Sequence, residues 1–517
     1  MTHHELLRHC LGILPELILA LTICVVILVD MFTPLSRSRQ VCGSLALLGT
    51  FWALAVLLTG FGWSAVEQGP AATGGTTPLF YGMIVRDGLA SFFKLIFLLG
   101  AAATFLFSLR SVETAGYRQG EYFALLLGAV LGACFLAGSN NFIMMVLSLE
   151  TLSMCSYVLA GFLKNQRHSA EAGLKYMLYG AVFSGVMLFG ISYLYGMSGT
   201  VNIEGCMRAL ALPAVPAARA AFVLALLLVL AGLGFKMAMV PFHFWCPDVY
   251  QGSPTPVTAF LSVVSKAAGF SALLRLMLPF FTISPLAGFN FAAFSAEAHL
   301  PLLFGVLAAV TMTFGNLVAL RQTDVKRLLA YSSIAHAGYI LMGMSVFGRE
   351  SLQAMLFYFF IYLFMNLGAF WVVIVLINRL GGAEIDRFRG ARYKAPFLFW
   401  VMFIFLISLT GLPPTAGFVA KLMIFKVVIG AGITAMQGGA LTATSWGYLA
   451  LALIGVLNSA VSLAYYMKIA RVMAFEVPTD EVPLKVELLD GVYALLFAVP
   501  TVALLYFAPV LKLLEGI

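Results

Sequence analysis

Charged residues are scarce in this sequence, and their scarcity excludes a water-soluble protein. Asp, Glu, Lys and Arg make up 10% of the 517 residues, whereas 62% are hydrophobic and the mean hydropathy is +0.99. A soluble protein of this length carries far more charge on its surface. The apolar runs predict an all-α polytopic membrane protein with about fourteen transmembrane helices of roughly 20 residues each. No soluble domain is predicted between them.

Sequence signatures of redox and nucleotide chemistry are also missing. The seven cysteines contain no CxxC pair and mostly fall in apolar runs, which argues against an iron-sulfur site and a disulfide framework. Neither a P-loop nor a dinucleotide fingerprint occurs. The chain therefore needs an external energy source, which is either redox chemistry in partner subunits or an existing ion gradient.

Basic residues are distributed unevenly between the predicted loops. Most of the 30 Lys and Arg residues follow odd-numbered spans, and the 379–395 loop is rich in them. By the positive-inside rule these loops are cytoplasmic, and both termini lie on the periplasmic side. The net charge of +8 thus reflects the topology of the chain in the membrane and does not indicate that the protein binds nucleic acid. Residues 1–35 lack a small-residue cleavage pattern, which predicts a first span and not a signal peptide.

Two lysines lie inside long apolar runs that glycine and proline interrupt. Lys236 lies in GLGFKMAMVPFHFW within the run 219–250, and Lys421 lies in GLPPTAGFVAKLMIF within the run 396–433. A charge at membrane depth costs about 2.5 to 3.5 kcal/mol on insertion scales and is rarely kept without a function. Paired interrupted segments indicate discontinuous helices around a transport site. Protonatable side chains at that site predict that the transported ion is H⁺.

Other ionisable groups also fall within apolar runs. Lys266 lies near the middle of its span, where a side chain cannot easily reach the membrane surface. Glu150, in MMVLSLETLSM, is central in an uncharged run, and beside Lys236 it would form an ion pair that sets both protonation states. Three further cations are interpreted as snorkelling or helix-packing residues: Lys94, Arg275 and Lys426.

Two histidines are candidates for proton transfer. His336 is central in VKRLLAYSSIAHAGYILMGM, and Tyr331, Ser332 and Ser333 precede it by about one helical turn. A histidine with a neutral pKa can accept and release protons, so we interpret His336 as a relay group, with hydrogen-bonded packing as the alternative. His243, in PFHFW, either extends the relay or caps the interrupted helix.

The spacing of these groups indicates an internal repeat. Glu150 precedes Lys236 by 86 residues, and His336 precedes Lys421 by 85. The match predicts two copies of a five-helix unit, and because five is odd the second copy is inverted in the membrane. The predicted organisation is helices 1–3 in residues 1–110, the first repeat in 121–279, the second in 299–472 and a last helix in 487–514.

Three long segments identify a family resemblance. PFHFWCPDVYQGSPTPVTAFLSVVSKAAGF, DVKRLLAYSSIAHAGYI and SLTGLPPTAGFVAK closely resemble the antiporter-like membrane subunits of respiratory complex I, and the resemblance covers essentially the whole chain. It implies a non-redox, proton-translocating subunit of NADH:quinone oxidoreductase in the bacterial inner membrane. Its partners would be other membrane-arm subunits, especially related antiporter-like ones, and the lipid bilayer. NADH, FMN, iron-sulfur clusters and quinone would belong to partner subunits, with no cofactor or metal in this chain.

The resemblance also implies a role for each candidate residue. Glu150 would pair with Lys236, and opening or closing that pair would change the proton affinity of the lysine. Lys266 would pass protons laterally to His336, and Lys421 would release them to the far side of the membrane.

Two other readings of the sequence remain open. The first is a subunit of a multi-subunit cation/proton antiporter or of a membrane-bound hydrogenase-type complex, which would share the fold. The second is a membrane scaffold whose buried charges no longer function. Copurification with quinone-reductase partners would distinguish a subunit of NADH:quinone oxidoreductase from an antiporter subunit. Replacement of the buried charges would distinguish it from a scaffold, because a scaffold would not need them for pumping.

Overall fold

The computed structural model describes residues 3–63, 77–117, 119–210, 216–281, 299–437, 443–477 and 484–504. In chain order the α-helices are α1 (His3–Gly12), α2 (Leu14–Phe32), α3 (Leu35–Trp63), α4 (Gly88–Arg110), α5 (Gln119–Gly138), α6 (Phe142–Ala160), α7 (Arg167–Ser198), α8 (Ile203–Leu210), α9 (Pro216–Met237), α10 (Trp245–Gly252), α11 (Thr255–Phe260), α12 (Lys266–Phe281), α13 (Leu300–Ala319), α14 (Val325–Met344), α15 (Arg349–Leu380), α16 (Ala391–Lys394), α17 (Pro396–Thr410), α18 (Ala416–Gln437), α19 (Ala443–Phe475) and α20 (Leu488–Ala503). A π-helical turn spans Leu261–Ser265, and a 3-10 turn spans Ile385–Phe388.

Long apolar helices make up most of the described chain and confirm the predicted all-α polytopic membrane fold. Twelve helical segments in the described ranges are long and apolar enough to cross a membrane, and α17 and α20 are shorter apolar helices. The 20-residue helix α14 is not among the twelve because Lys326, Arg327 and His336 lower its hydropathy. The count of fourteen spans stays a prediction.

Both interrupted runs form discontinuous helices, as predicted. Helix α9 ends at Met237, where Ala238 turns the backbone into the left-handed region with φ +57°, and the chain becomes helical again at Trp245. Helix α17 ends before Gly411, whose φ of +85° favours glycine because it has no Cβ. Helix α18 then begins at Ala416.

The last of the three helices predicted in residues 1–110 begins only at Gly88. The preceding residues form a hairpin in which β1 (Thr77–Leu79) pairs antiparallel with β2 (Ile84–Arg86). Phe80, Tyr81 and Gly82 take positive φ in the connecting turn. Hydropathy did not separate this hairpin from the helix, because Leu79, Phe80, Ile84 and Val85 extend the apolar run.

The N-terminal residues form two helices, whereas the sequence predicted a single first span within residues 1–35. A break at Ile13 separates α1 from α2, and Pro15 occupies the first turn of α2. Proline lacks a backbone N–H and is tolerated at the start of a helix, so it favours a new helix at this position.

Contacts within the chain group it into two compact units. The first contains residues up to Met237 together with 252–279, and the second contains 238–251 together with residues from Phe280 onward. The segment after the break in α9 therefore belongs to the second unit. Val240 N–H donates to Thr311 Oγ1 at 3.2 Å, and Asp248 forms an ion pair with Arg327 at 2.6 Å, both within that unit.

Each unit contains a pair of helices that pack closely at a glycine. A Cβ on Gly132 of α5 would lie 2.7 Å from the amide nitrogen of Leu152 on α6. A Cβ on Gly315 of α13 would lie 2.7 Å from the amide nitrogen of Ala335 on α14. Gly315 lies 183 residues after Gly132, and Ala335 lies 183 residues after Leu152. This match agrees with an internal repeat, and the repeat, its inversion and the domain boundaries stay predictions.

Candidate functional site

Lys236 lies fully buried in the last turn of α9, next to the first break. Its Nζ donates to Ser153 Oγ at 3.1 Å and to Tyr176 OH at 3.3 Å, and it lies 5.4 Å from the centroid of the Tyr176 ring. Two hydroxyls and an aromatic face therefore compensate for part of its lost hydration. The negative end of the α9 dipole also favours a cation there.

Glu150 lies on α6 three residues before Ser153, so both residues face the same side of the helix. It interacts electrostatically with Lys236, and its Oε1 is buried with no hydrogen-bond partner among the described residues. The structure brings the two predicted partners near each other without a direct hydrogen bond. Ser153 holds the ammonium one turn away from the carboxylate.

Lys266 is the first residue of α12, directly after the π-helical turn, and is 3% exposed. Such turns occur often at functional sites because they redirect the side chains that follow. A Cβ on Gly269, one turn further on, would lie 3.2 Å from Lys236 Cβ. The helix that starts with Lys266 thus packs against the end of α9 that carries Lys236.

His336 lies in the middle of α14 between two tyrosine hydroxyls. Its Nδ1 is 2.7 Å from Tyr358 OH on α15, and its Nε2 is 3.2 Å from Tyr466 OH on α19. Tyr466 also forms a short hydrogen bond with Ser332, one of the predicted neighbours of the histidine. Ser333 instead accepts from Tyr362 OH at 2.8 Å. Both ring nitrogens of His336 can therefore exchange protons with hydroxyl groups.

Lys421 lies on α18 but bonds back across the second break. Its Nζ donates to the Thr410 carbonyl oxygen at 2.7 Å and to Ser459 Oγ at 3.1 Å. It also lies 4.4 Å from the centroid of the Tyr339 ring. Thr410 is the last residue of α17, so the ammonium meets a carbonyl that the interrupted helix leaves unpaired.

His243 follows the first break and is 3% exposed. Its ring packs against Phe244 and Phe314, with centroids 4.5 and 4.4 Å apart, and its Nδ1 has no hydrogen-bond partner among the described residues. The relay and cap roles predicted for His243 stay predictions.

Lys94 and Arg275, interpreted from the sequence as snorkelling or packing residues, belong to buried ion pairs. Lys94 Nζ lies 2.5 Å from Glu16 Oε1, with side chains 5% and 1% exposed. Arg275 forms a bidentate pair with Asp87 and also donates to the Ala137 carbonyl oxygen at 2.8 Å. The snorkelling interpretation is wrong for both, because each cation finds a carboxylate inside the protein and does not extend to the membrane surface.

Sequence reasoning missed the hydroxyl and amide groups that surround the ionisable side chains. Tyr176, Tyr358 and Tyr466 lie in apolar runs with no spacing that marks them. The available signal was the presence of tyrosine within those runs, since a buried tyrosine hydroxyl usually has a hydrogen-bond partner.

Known proteins resemble the chain over nearly its full length. NADH-quinone oxidoreductase subunit N of Anaeromyxobacter sp. (strain Fw109-5) is 43% identical over 511 residues, which are 97% of this chain and 94% of that protein. A chain of respiratory complex I from Thermus thermophilus with bound aureothin is 31% identical, with a TM-score of 0.73 and coverage of 96% and 98%. A chain of the Mrp complex from Dietzia sp. DQ12-45-1b shares the fold at 21% identity, with a TM-score of 0.77 and coverage of 97% and 96%.

The fold and the site define a multi-pass helical membrane protein with interrupted spans and buried ionisable groups, a combination typical of ion-translocating proteins. Residues 139–445 match the family described as NADH:quinone oxidoreductase/Mrp antiporter, transmembrane. The chain belongs to this family and, within it, to the subunit N group of the NADH-quinone oxidoreductases.

Proposed function

We propose that this chain carries protons across the membrane as a non-redox subunit of NADH-quinone oxidoreductase, driven by quinone reduction in other subunits. The observation that most supports the proposal is the shared environment of Lys236 and Lys421. Each ammonium is buried at the C-terminal end of a half-helix and is held by uncharged oxygen atoms. Lysine in such surroundings changes its protonation readily, as a proton carrier must.

Glu150 acts as the switch for Lys236 in this proposal. The carboxylate is one helical turn from Ser153 and has an unpartnered oxygen, so a modest rearrangement would bring it to the ammonium. A direct ion pair stabilises the charged lysine, and its opening lowers the proton affinity. The arrangement with Ser153 as the hydrogen-bond partner corresponds to the open pair.

Lys266 and His336 are proposed to connect the two lysines. Lys266 takes a proton from the Lys236 region, which its helix contacts through Gly269. His336 receives protons through its hydroxyl partners, and Lys421 releases them. His243 has a lesser role because its ring is surrounded by aromatic side chains.

The same proposal assigns the surroundings of the chain. NADH, FMN, iron-sulfur clusters and quinone are held by partner subunits. The neighbours in the membrane are related antiporter-like subunits, the membrane is the bacterial inner membrane, and both termini face the periplasm. The uneven distribution of basic residues supports this orientation.

The test is proton pumping by the assembled complex in liposomes. Lys236→Ala, Lys421→Ala and Glu150→Gln should each lower proton uptake per NADH oxidised. Lys175→Ala is the matched control, since Lys175 is 37% exposed and pairs with Glu171 on the helix surface. Wild-type pumping in all three variants, at normal assembly, would make the buried charges structural. Sodium-driven proton exchange without NADH would instead favour the antiporter reading.

A further inference from the structure

The helical span that carries Lys266 lies inside the first unit. Residues 255–277 form α11, the π-helical turn and most of α12, and all of them are buried. Lys266 follows Thr255 by 11 residues. That separation is about 16 Å along a helix, roughly half the thickness of the apolar core of a membrane. The following inference rests on the proposed function, because it concerns the placement of Lys266 as a proton carrier.

Helix α11 begins at a threonine between two prolines. In SPTPVTAF, Pro254 is the N-cap and Pro256 follows Thr255, and a proline has no backbone N–H. The N–H of Thr255 lies in the first turn, where no carbonyl oxygen of the same helix can accept from it. Glu113, in the loop after α4, accepts this bond, since its Oε2 lies 2.6 Å from Thr255 N.

The bond between Glu113 and Thr255 is strong for its type. A carboxylate acceptor makes the hydrogen bond charge-assisted, and its short length agrees with that. Thr255 is 1% exposed and Glu113 is only partly exposed. Water is therefore a poor substitute for the carboxylate, and the loss of Glu113 would leave a buried donor without a partner.

Two further contacts attach the same span to α4. A Cβ on Gly100 of α4 would lie 2.5 Å from Val264 Cγ2, so the π-helical turn packs directly on this helix. Asp87, the N-cap of α4, pairs with Arg275 of α12, whose Nη2 lies 2.9 Å from Asp87 Oδ1. The span is thus held near its start by Glu113, in its middle by the glycine contact and near its end by the ion pair.

The π-helical turn makes the direction of Lys266 depend on how the start of the span is held. Such a turn contains about one residue more than an α-helical turn, which rotates the side chains after it by about 100° relative to a continuous α-helix. A shift of the preceding segment by one residue would convert the turn to α-helix and change that rotation. The bond from Thr255 to Glu113 opposes this shift.

We infer that Glu113 is a positioning residue for Lys266. It fixes the first residue of the span, and the π-helical turn then directs Lys266 within the helix that packs through Gly269 against Lys236. Without this bond Lys266 stays buried but takes more than one direction, so proton transfer through it is slower. Glu113 acts through Thr255 and does not itself carry protons.

The first experiment measures proton uptake per NADH oxidised by the assembled complex in liposomes. Glu113→Ala should lower this uptake at least about twofold. Glu113→Gln keeps an acceptor oxygen for the Thr255 N–H and should retain most of the uptake. Glu121→Ala is the matched control, because Glu121 is an exposed acid in the first turn of α5 and should be dispensable.

Thr255→Pro removes the same bond from the other side. It deletes the donor without leaving an unpaired N–H, and proline is compatible with the first turn of a helix. Pro254 before it has a ψ of 139°, the extended conformation that a following proline favours. This variant should lose uptake as Glu113→Ala does, and it carries the test if Glu113→Ala does not assemble.

Hydrogen–deuterium exchange gives a readout that does not depend on pumping. The amides of residues 257–266 exchange only when the buried span opens locally. They should exchange several-fold faster in Glu113→Ala and Thr255→Pro than in the wild type. Glu113→Gln and Glu121→Ala should leave their exchange close to that of the wild type.

The positioning role is wrong if Glu113→Ala and Thr255→Pro pump at the wild-type rate or leave the exchange of residues 257–266 unchanged. It is also wrong if Glu113→Gln is as impaired as Glu113→Ala. Lys266→Ala separates this inference from the proposed function. Wild-type pumping by Lys266→Ala would count against Lys266 as a carrier, whereas lost pumping in that variant with wild-type pumping in Glu113→Ala overturns only the positioning role.

Discussion

The buried pair between Arg275 and Asp87 allows a quantitative test of the fold. Its side chains are 3% and 9% exposed, and Asp87 also accepts from Ala90 N–H at the start of α4. Arg275→Met leaves the carboxylate buried without its cation, which costs about 3 to 5 kcal/mol. Arg379→Met is the matched control, because the pair between Arg379 and Glu487 is 38% and 54% exposed and such pairs contribute about 0 to 1 kcal/mol.

The assay is the rate of thermal inactivation of the solubilised complex. The smallest difference that these ranges allow between the two Met variants, about 2 kcal/mol, corresponds to roughly thirtyfold in this rate where unfolding limits it. Adding Asp87→Asn to Arg275→Met should recover much of the loss, since asparagine keeps the helix cap and removes the stranded charge. Equal inactivation of the two Met variants, or no recovery in the double variant, would refute the stabilising role of the pair.

Lys421→Arg should assemble better than Lys421→Ala and still fail to pump, because a guanidinium keeps its proton at all accessible pH values. Proton uptake by inverted vesicles per assembled complex measures this, and wild-type uptake would make Lys421 a fixed charge. Gly338→Ala should lower the thermal stability of the complex, because the added Cβ would lie 2.5 Å from the Met312 amide nitrogen. The control Gly185→Ala has nothing within 4 Å of its added Cβ and should be neutral or slightly stabilising. Cysteine labelling should place the 379–395 loop in the cytoplasm, and labelling from outside intact cells would contradict the orientation.

The features predicted correctly are those that local chemistry controls. Gly411 predicted the second break, because its positive φ ends α17. Hydropathy identified the spans that contain Lys236 and Lys421, because a long apolar run and a charged residue within it can both be read from the sequence. Such features depend on residues that are close in the sequence, so the sequence alone can predict them.

The features that were missed depend on packing between distant segments. Arg275 pairs with Asp87, which lies 188 residues earlier. The sequence around either residue does not indicate that the other is its partner. Tyr466 approaches His336 from 130 residues away. A helix face can be inferred from periodicity, but the register in which two helices pack is set by the whole bundle. The partners of buried charged residues are therefore the part of such a site that is hardest to predict from sequence.

The assignment of residues 238–251 to the second unit has a consequence for biosynthesis. Val240, His243 and Asp248 contact Thr311, Phe314 and Arg327, all of which lie later in the chain. At about 5 to 20 residues per second, the ribosome needs roughly 4 to 16 s to extend from Asp248 to Arg327. Until that interval ends, the segment after the first break exists in the nascent chain without its full set of partners, because Arg327 is the last of them to be made. Membrane insertion must keep it in a foldable state until α13 and α14 arrive.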